Sequence, residues 1–307
     1  MSRVAIGRRD VVGLILAAAS WGVGTVVSKS ALAEIPPLTL LPIQLSASVA
    51  ALLLLMRRQG VPLRGDGPAL LGRLGLLNPG LAYALSLLGL VTITASLSVL
   101  LWALEPLLIV VLAAWFLGER ITRTFVVLSL IAVAGMIVIV YDPAAGGAPL
   151  GVVLTIAGIA CCAAYTVITR RWIPATAETS QVVLIQQVYG LVLASGLAVA
   201  VGWAGGQVLP SSITPMGLAS AVGSGVLYYA GAYWLYLGAL RNVPASVAAV
   251  SFYLIPIVGV AAAAIFLGER MDTRQWIGAV VVMLAVLGIL RQPSSSERPS
   301  TATGALD

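Results

Sequence analysis

The stretch ASLSVLLWALEPLLIVVLAAWFLGER, residues 95–120, has a second version in ASVAAVSFYLIPIVGVAAAAIFLGER, residues 245–270. Both stretches carry a proline at the same distance from their ends, Pro106 and Pro256, and both finish in Phe-Leu-Gly-Glu-Arg. Agreement among Ala and Leu alone would follow from composition, whereas a shared proline and a shared charged ending would not. The chain is therefore predicted to contain an internal repeat.

The composition of the chain is that of a protein that lies in lipid. Of its 307 residues 60% are hydrophobic and 9% are charged, and the mean hydropathy is +1.05. A soluble chain averages about 45–50% apolar and about 25% charged residues. Because so little charge is available to cover a water-facing surface, most of the surface is expected to contact lipid.

A helix needs about 20 mostly apolar residues to cross the hydrocarbon core of a bilayer. Ten segments of this chain have a suitable length and composition. They run approximately Val11–Ala33, Leu38–Met56, Pro68–Leu90, Ala95–Leu117, Thr124–Tyr141, Leu150–Ile168, Gln181–Gly202, Gly217–Leu240, Ala245–Leu267 and Gln275–Leu290. We therefore predict an all-α integral membrane protein with ten transmembrane helices.

Each half of the chain contains five spans, an odd number, so the second half must enter the membrane inverted. Inverted repeats with interrupted helices are typical of secondary transporters that alternate access to a site near the midplane. With the N-terminus inside, all but three of the 17 Lys and Arg residues, Lys29, Arg270 and Arg274, lie on the cytoplasmic side. This distribution obeys the positive-inside rule. Both termini are therefore predicted to be cytoplasmic, in the inner (cell) membrane of a bacterium.

Further matches between the halves set the predicted domain organisation. Tyr83 and Tyr233 are related by the same offset of 150 residues, and with a slightly different offset Lys29 meets Arg170. The predicted parts are a cytoplasmic N-terminus (1–10), a first five-helix repeat (11–141), a linker (142–149), a second five-helix repeat (150–290) and a disordered cytoplasmic tail (291–307).

These features resemble the EamA units of the drug/metabolite transporter superfamily. Each half opens with a helix that ends in a basic residue, as in Trp21-Gly22 to Lys29, and each fourth helix ends in Gly-Glu-Arg. The resemblance covers nearly the whole chain and implies ten helices around a central cavity, with export of amino acids and related metabolites. Similar proteins often carry Arg in the second helix after a proline, whereas here Pro42 is followed by Gln44. An anion contact at that point is therefore not implied.

Glu105 is the one carboxylate that the predicted spans place near mid-membrane. A charge there costs about 2.5–3.5 kcal/mol on insertion scales, so such residues generally face a cavity. The equivalent position in the second half is Ile255, so the fold does not require a carboxylate there. Glu105 is interpreted as a contact for a cation or ammonium group, or as a protonatable group. The alternative is a neutral Glu that is hydrogen-bonded to a neighbouring helix.

The other candidate site residues are polar and aromatic side chains inside the spans. Together with Glu105, the predicted substrate-binding residues are Trp102, Ser98, Gln44, Asn78, Tyr83, Gln186, Gln187, Tyr233, Trp234, Tyr253 and Lys29. The predicted hinge and gate residues are Pro106, Pro256, Glu119, Arg120, Glu269 and Arg270. Alternatives remain open: the amides could tie helices together, several aromatics could form interface belts, and Lys29 could extend to the headgroups.

The sequence also excludes several kinds of chemistry. It contains no His, which removes histidine triads, imidazole metal sites and histidine proton relays. Its two cysteines, Cys161 and Cys162, are adjacent and are interpreted as small apolar helix residues. No enzyme activity, cofactor, metal or nucleic-acid partner is expected, and the pattern is compatible with a monomer in the lipid bilayer.

The predicted function is secondary transport with alternating access. The substrates are expected to be small metabolites, with amino acids as the leading class, and the direction is export. The alternatives are a multidrug or lipophilic-cation exporter, and a passive facilitator or channel.

Overall fold

A computed structural model describes residues 8–63, 69–117, 123–140, 148–172, 178–210, 212–240, 251–252 and 254–290. All of the regular secondary structure in these ranges is helical. The first half contains α1 (Arg8–Ala31), α2 (Pro37–Gln59), α3 (Ala69–Gly75, Leu76–Leu81 and Ala82–Thr92), α4 (Ala95–Trp102 and Glu105–Leu117) and α5 (Arg123–Val140). The second half contains α6 (Ala148–Trp172), α7 (Thr179–Trp203), α8 (Pro215–Ser224, Gly225–Gly231 and Ala232–Leu240), α9 (Leu254–Phe266) and α10 (Thr273–Leu290).

These helices confirm the predicted fold class of ten membrane helices in two inverted five-helix repeats. Among the described residues, five helices are long and apolar enough to cross a membrane, namely Arg8–Ala31, Pro37–Gln59, Leu71–Thr92, Pro149–Thr169 and Thr179–Trp203. Four shorter apolar helices accompany them, at Ala95–Ile109, Val126–Gly135, Leu254–Phe266 and Thr273–Ala285. The predicted start of the ninth span at Ala245 and the predicted tail lie outside the described residues.

The third helix of each repeat is interrupted at the equivalent place. In α3 the π-helical segment Leu76–Leu81, which is kinked at Asn78, follows Gly75. In α8 the π-helical segment Gly225–Gly231 begins at Gly225, 150 residues after Gly75. A Cβ on Gly75 would collide with the backbone carbonyl of Gln186, and one on Gly225 would collide with that of Gln44. Each third helix thus packs backbone to backbone against the second helix of the other repeat, and only glycine permits this approach.

The fourth helix is broken rather than bent. Ala103 and Leu104 form a turn, in which the Leu104 N–H donates to the Leu101 carbonyl at 2.9 Å. The next segment starts at Glu105, so Pro106 lies in its first turn, where the missing N–H costs no helical hydrogen bond. Pro256 likewise lies in the first turn of α9. The role of the two prolines as hinges stays a prediction.

Exposed tryptophans mark both ends of the helical bundle. Trp203 and Trp276 lie at one end, and Trp115 and Trp172 lie at the other. Trp is enriched at the two membrane–water interfaces because its ring is apolar and its N–H is polar. The exposed apolar side chains between these levels therefore form the lipid-facing surface.

Candidate functional site

The two repeats meet at a pair of equivalent tyrosines. Tyr83 in α3 and Tyr233 in α8 are 150 residues apart, and their hydroxyl oxygens are 2.8 Å apart in a hydrogen bond. Residues that are related by an approximate two-fold axis can touch each other only close to that axis. The pair therefore marks the axis of the inverted repeat, inside the third helix of each half.

Aromatic rings from both repeats surround this pair. The rings of Tyr83 and Trp102 stack with centroids 5.7 Å apart, and Trp21 meets Tyr233 edge to face at 5.5 Å. We call the connected set the aromatic cluster; its members are Trp21, Tyr83, Trp102, Tyr228, Tyr229, Tyr233, Tyr236 and Phe252. Each such pair adds about 0.5–1.5 kcal/mol beyond its burial, so the cluster holds the two repeats together.

Glu105 lies beside this cluster at the start of the second segment of α4. Its carboxyl group lies next to the thiol of Cys162 in α6. The Asn78 amide nitrogen donates to Cys162 Sγ at 3.3 Å and to the Tyr233 hydroxyl at 3.4 Å. A polar chain thus runs Glu105–Cys162–Asn78–Tyr233–Tyr83 and joins four of the predicted site residues.

Cys162 is the member of this chain that the sequence analysis interpreted only as a small apolar residue. Its side chain is buried, but it lies between an amide donor and a carboxyl group. One signal in the sequence could have found it. The offset that aligns Lys29 with Arg170 also aligns Trp21 with Cys162, and Trp21 belongs to the aromatic cluster.

A cavity of about 10 Å³ lies between the polar chain and α7. Its lining residues are Asn78, Pro79, Tyr165, Val183, Gln186, Gln187 and Tyr233. This volume holds about one water molecule. The described helices therefore leave little space at this cavity, and a larger molecule fits there only if they separate.

Two neighbouring glutamines of α7 reach this cavity and bind different partners. Gln186 Oε1 accepts from the Tyr165 hydroxyl at 2.8 Å, and its Nε2 donates to the Leu71 carbonyl of α3 at 3.1 Å. Gln187 Nε2 donates to the Tyr229 carbonyl, inside the π-helical segment of α8, at 2.6 Å. The amides tie helices together as one sequence interpretation expected, and they also line the cavity.

The remaining predicted site residues lie elsewhere. Gln44 is buried where α1, α2 and α8 meet, and its Nε2 donates to Ser28 Oγ at 2.9 Å and Ser224 Oγ at 2.7 Å. Ser98 is buried in α4, and the turn at residues 103–104 separates it from the helix segment of Glu105. Trp234 is half-buried. Tyr253, Glu119 and Arg120 lie outside the described residues.

Lys29 and Glu269 together secure the corner between α3 and α4. Lys29 Nζ donates to the carbonyls of Leu90, Val91 and Ile93, at the C-terminal end of α3, at 2.5, 3.2 and 2.8 Å. A cation is favoured there because the terminal carbonyls of a helix are unpaired and carry partial negative charge. Lys29 thus lies at the end of the bundle where α1 ends, which we call the Lys29 end.

The Glu269 carboxylate forms the other half of this arrangement. It accepts from the Ala95 N–H at 2.8 Å, the Ser96 N–H at 2.9 Å and the Ser96 hydroxyl at 2.7 Å, at the N-terminal end of α4. A carboxylate is favoured at a helix N-terminus. Since Glu269 belongs to the second repeat and α4 to the first, this contact closes the two repeats together at the Lys29 end. Arg270 is exposed.

A second carboxylate bridges the repeats at the same end. Glu34, in the α1–α2 loop, accepts from the Thr214 N–H at 2.7 Å and the Thr214 hydroxyl at 2.8 Å, just before α8. These two hydrogen bonds hold the pKa of the Glu34 carboxyl below its usual range. Glu34 is half-buried and lies outside the helices, so it is a loop contact between the repeats.

Comparison with known proteins agrees with this architecture. A solved crystal structure of a protein superposes with a TM-score of 0.64 at 19% identity, over 90% of this chain and 95% of the other, and shows the same fold. The uncharacterized transporter YwfM of Bacillus subtilis (strain 168) is 29% identical over 90 residues, which span 29% of this chain and 30% of that relative. The sequence model of the EamA-like transporter family matches residues 9–141 and 149–291. The chain therefore belongs to the EamA-like transporter family, within the drug/metabolite transporter superfamily, and is a membrane transporter of small molecules.

Proposed function

We propose that the protein is a secondary transporter that exports small metabolites by alternating access, with amino acids as the leading substrate class, and that it has no enzymatic activity. The observation that carries the proposal is the position of Glu105. It is a carboxyl group beside the repeat axis, in a helix whose equivalent position is Ile255. The fold does not need a carboxylate there, and its insertion is unfavourable, so a role in substrate recognition explains its presence.

The surroundings of Glu105 favour a substrate with an amino group. The carboxylate attracts an ammonium ion, and the faces of Trp and Tyr rings attract cations by about 0.5–2 kcal/mol. Trp102 and Tyr228 bring such rings to the same centre. An amino acid or a related amine meets both requirements.

The closed centre supports a carrier over a passive channel. The cavity of about 10 Å³ does not form a water-filled path, and the contacts of Glu269 and Glu34 hold the two repeats together at the Lys29 end. In the proposed topology this end faces the outside of a bacterial cell membrane, because Arg57, Arg58 and Arg73 lie at the opposite end. Export then requires this end to open while the opposite end closes.

Counterflow in proteoliposomes tests the proposal. Purified protein is reconstituted in liposomes preloaded with unlabelled amino acids, and the uptake of radiolabelled amino acids is measured. We expect saturable, competable uptake that Glu105→Gln abolishes. Glu178→Gln is the matched control, because it removes an exposed carboxylate at the start of α7, and it should leave uptake unchanged.

Two outcomes would contradict the proposal. Flux that never saturates and shows no exchange would indicate a passive facilitator. Wild-type uptake in the Glu105→Gln variant would place the substrate away from Glu105.

A further inference from the structure

The polar groups around the central cavity offer hydrogen-bond acceptors to a ligand. Gln187 Nε2 faces the Tyr229 carbonyl, which can only accept, so the amide must point its nitrogen there and its oxygen away. Gln187 is 2% exposed, and its Oε1 has no hydrogen-bond partner. Six buried side-chain atoms of the described residues lack a partner, and two of them, on Gln187 and Asn78, belong to residues that line the cavity.

Asn78 presents a second free acceptor in the same way. The Cys162 thiol lies next to the Glu105 carboxyl group and can donate to it, which leaves the sulfur free to accept from Asn78 Nδ2. The Asn78 oxygen Oδ1 is then left without a partner, in a side chain that is 2% exposed. The cavity is therefore bordered by two unpaired amide oxygens, with the carboxyl group of Glu105 at the end of the same polar chain.

Among the Lys and Arg side chains that the structure describes, none reaches this centre. Lys29 is bound to three carbonyls at the Lys29 end, and Arg274 pairs with Asp272. The other arginine side chains that it describes are exposed: Arg8, Arg9, Arg57, Arg58, Arg73, Arg123 and Arg270. A carboxylate on the substrate would therefore lose its hydration, find no countercharge, and lie near Glu105.

Positions around the centre that are equivalent in the two repeats carry polar residues on one side and apolar residues on the other. Glu105, Asn78 and Cys162 form the polar half. Their equivalents in the other repeat are Ile255, Tyr228 and Trp21, which all pack in one apolar cluster. The two halves join where Asn78 contacts Tyr233 and Tyr233 contacts Trp21. A ligand at the axis thus meets acceptors on one side and aromatic rings on the other.

We infer that the centre recognises amphipathic primary amines, and that it prefers them to amino acids with the same side chain. The ammonium N–H groups reach Glu105, Asn78 Oδ1 and Gln187 Oε1, while the apolar body of the substrate packs on the aromatic half. The inference rests on the proposed transport function and changes its leading substrate class from amino acids to the related amines. It makes Gln187 a residue that determines specificity.

A matched ligand series tests the inference in proteoliposomes. Counterflow of a radiolabelled primary amine, phenethylamine, is competed with unlabelled phenylalanine and with phenylalanine amide; the aliphatic pair isoamylamine and leucine is tested likewise. The amide keeps the size of the amino acid but removes its negative charge. We expect the amines and the amide to compete at least about tenfold more strongly than the amino acids, because only the acids bring an unpaired carboxylate into the centre.

The outcomes separate this inference from the transport proposal. If the amino acids drive exchange and compete as well as the amines, the preference for amines is wrong and the transport proposal stands. If no amine or amino acid gives saturable flux, the transport proposal fails, and the inference fails with it.

A variant series tests the role of Gln187. Gln187→Met keeps the length of the side chain and removes its acceptor, and should lower the ratio of amine to amino-acid affinity. Gln181→Met is the control, since Gln181 lies six residues earlier on the same helix, near its start, and donates to the Pro62 carbonyl. The ratio is independent of the amount of folded protein, so partial misfolding does not obscure it. An unchanged ratio in Gln187→Met would remove Gln187 from substrate recognition.

Discussion

Glu269→Gln should open the Lys29 end of the protein. The carboxylate makes three hydrogen bonds with the start of α4: one to Oε1 from Ala95 and two to Oε2 from Ser96. An amide keeps one oxygen and replaces the other with an NH₂ group. The Ser96 hydroxyl can accept from that group but a backbone N–H cannot, so one charge-assisted bond is lost and the others lose the negative charge. Such bonds contribute about 1.5–3 kcal/mol each when buried. Because Glu269 is partly exposed, we expect a total loss of about 2–3 kcal/mol.

This loss predicts a change in the population of the open conformation. Every 1.4 kcal/mol is a factor of about ten, so the open fraction should rise about 30- to 140-fold while the closed form still dominates. The native thiol of Cys162 reports the open fraction, because this side chain is only 6% exposed in the closed structure. In a Cys161→Ser background, purified protein in detergent micelles is treated with a soluble thiol reagent. The modification rate follows the open fraction.

Asp272→Asn is the matched control for this experiment. Asp272 lies in the same loop as Glu269, but its carboxylate accepts from the Gln275 N–H at 2.7 Å within the start of α10. Its replacement should leave the Cys162 rate close to that of the unsubstituted protein. Equal acceleration by both variants would attribute the effect to general loosening of the loop, and an unchanged rate in Glu269→Gln would refute the reasoning.

Two further predictions concern contacts between the repeats. Thr214 lowers the pKa of Glu34, so the stability that the Glu34 carboxylate contributes is present at neutral pH and is lost as the pH falls through the lowered pKa. Glu34→Gln should therefore reduce the drop in melting temperature, measured in detergent, between pH 7 and pH 3. A drop equal to that of the unsubstituted protein would contradict this. Gly75→Ala places a methyl group against the Gln186 carbonyl and should cost about 1–3 kcal/mol of stability. Gly196→Ala, which meets nothing within 4 Å, should be neutral in the same thermal measurement.

The architecture was predictable because it follows from features that survive in one sequence. The lengths of the apolar stretches indicate the membrane spans. The repeated Pro and Phe-Leu-Gly-Glu-Arg indicate that the second half of the chain repeats the first. The breaks inside the helices were less visible. Pro106 indicates a disturbance, but the turn at residues 103–104 depends on packing. The π-helical segments after Gly75 and from Gly225 depend on the crossing helices α7 and α2, which no local pattern reports.

The candidate site was predictable only in part, for a related reason. Glu105 stands out because a carboxylate in a span is rare, and Tyr83 stands out because it repeats. The partners of Lys29 could not be predicted from the sequence, because a basic residue at a helix end can either extend to the headgroups or bind a neighbouring helix. In the structure it binds the carbonyls of Leu90, Val91 and Ile93, a choice that depends on how α1 lies against α3.

The differences between the repeats are more informative than their similarities. Features that both halves share, such as Gly75 and Gly225 at the helix crossings, are those that the inverted architecture requires for packing. A residue that differs from its counterpart in the other repeat is not required for this packing, so its presence needs another explanation. Glu105, Asn78 and Cys162 each differ in polarity from their counterparts, and the structure brings all three into one chain beside the axis. Three independent departures would not meet at one point by chance. We therefore expect that, once the offset of an inverted repeat is known, the polar residues that break its symmetry indicate a candidate substrate site from the sequence alone.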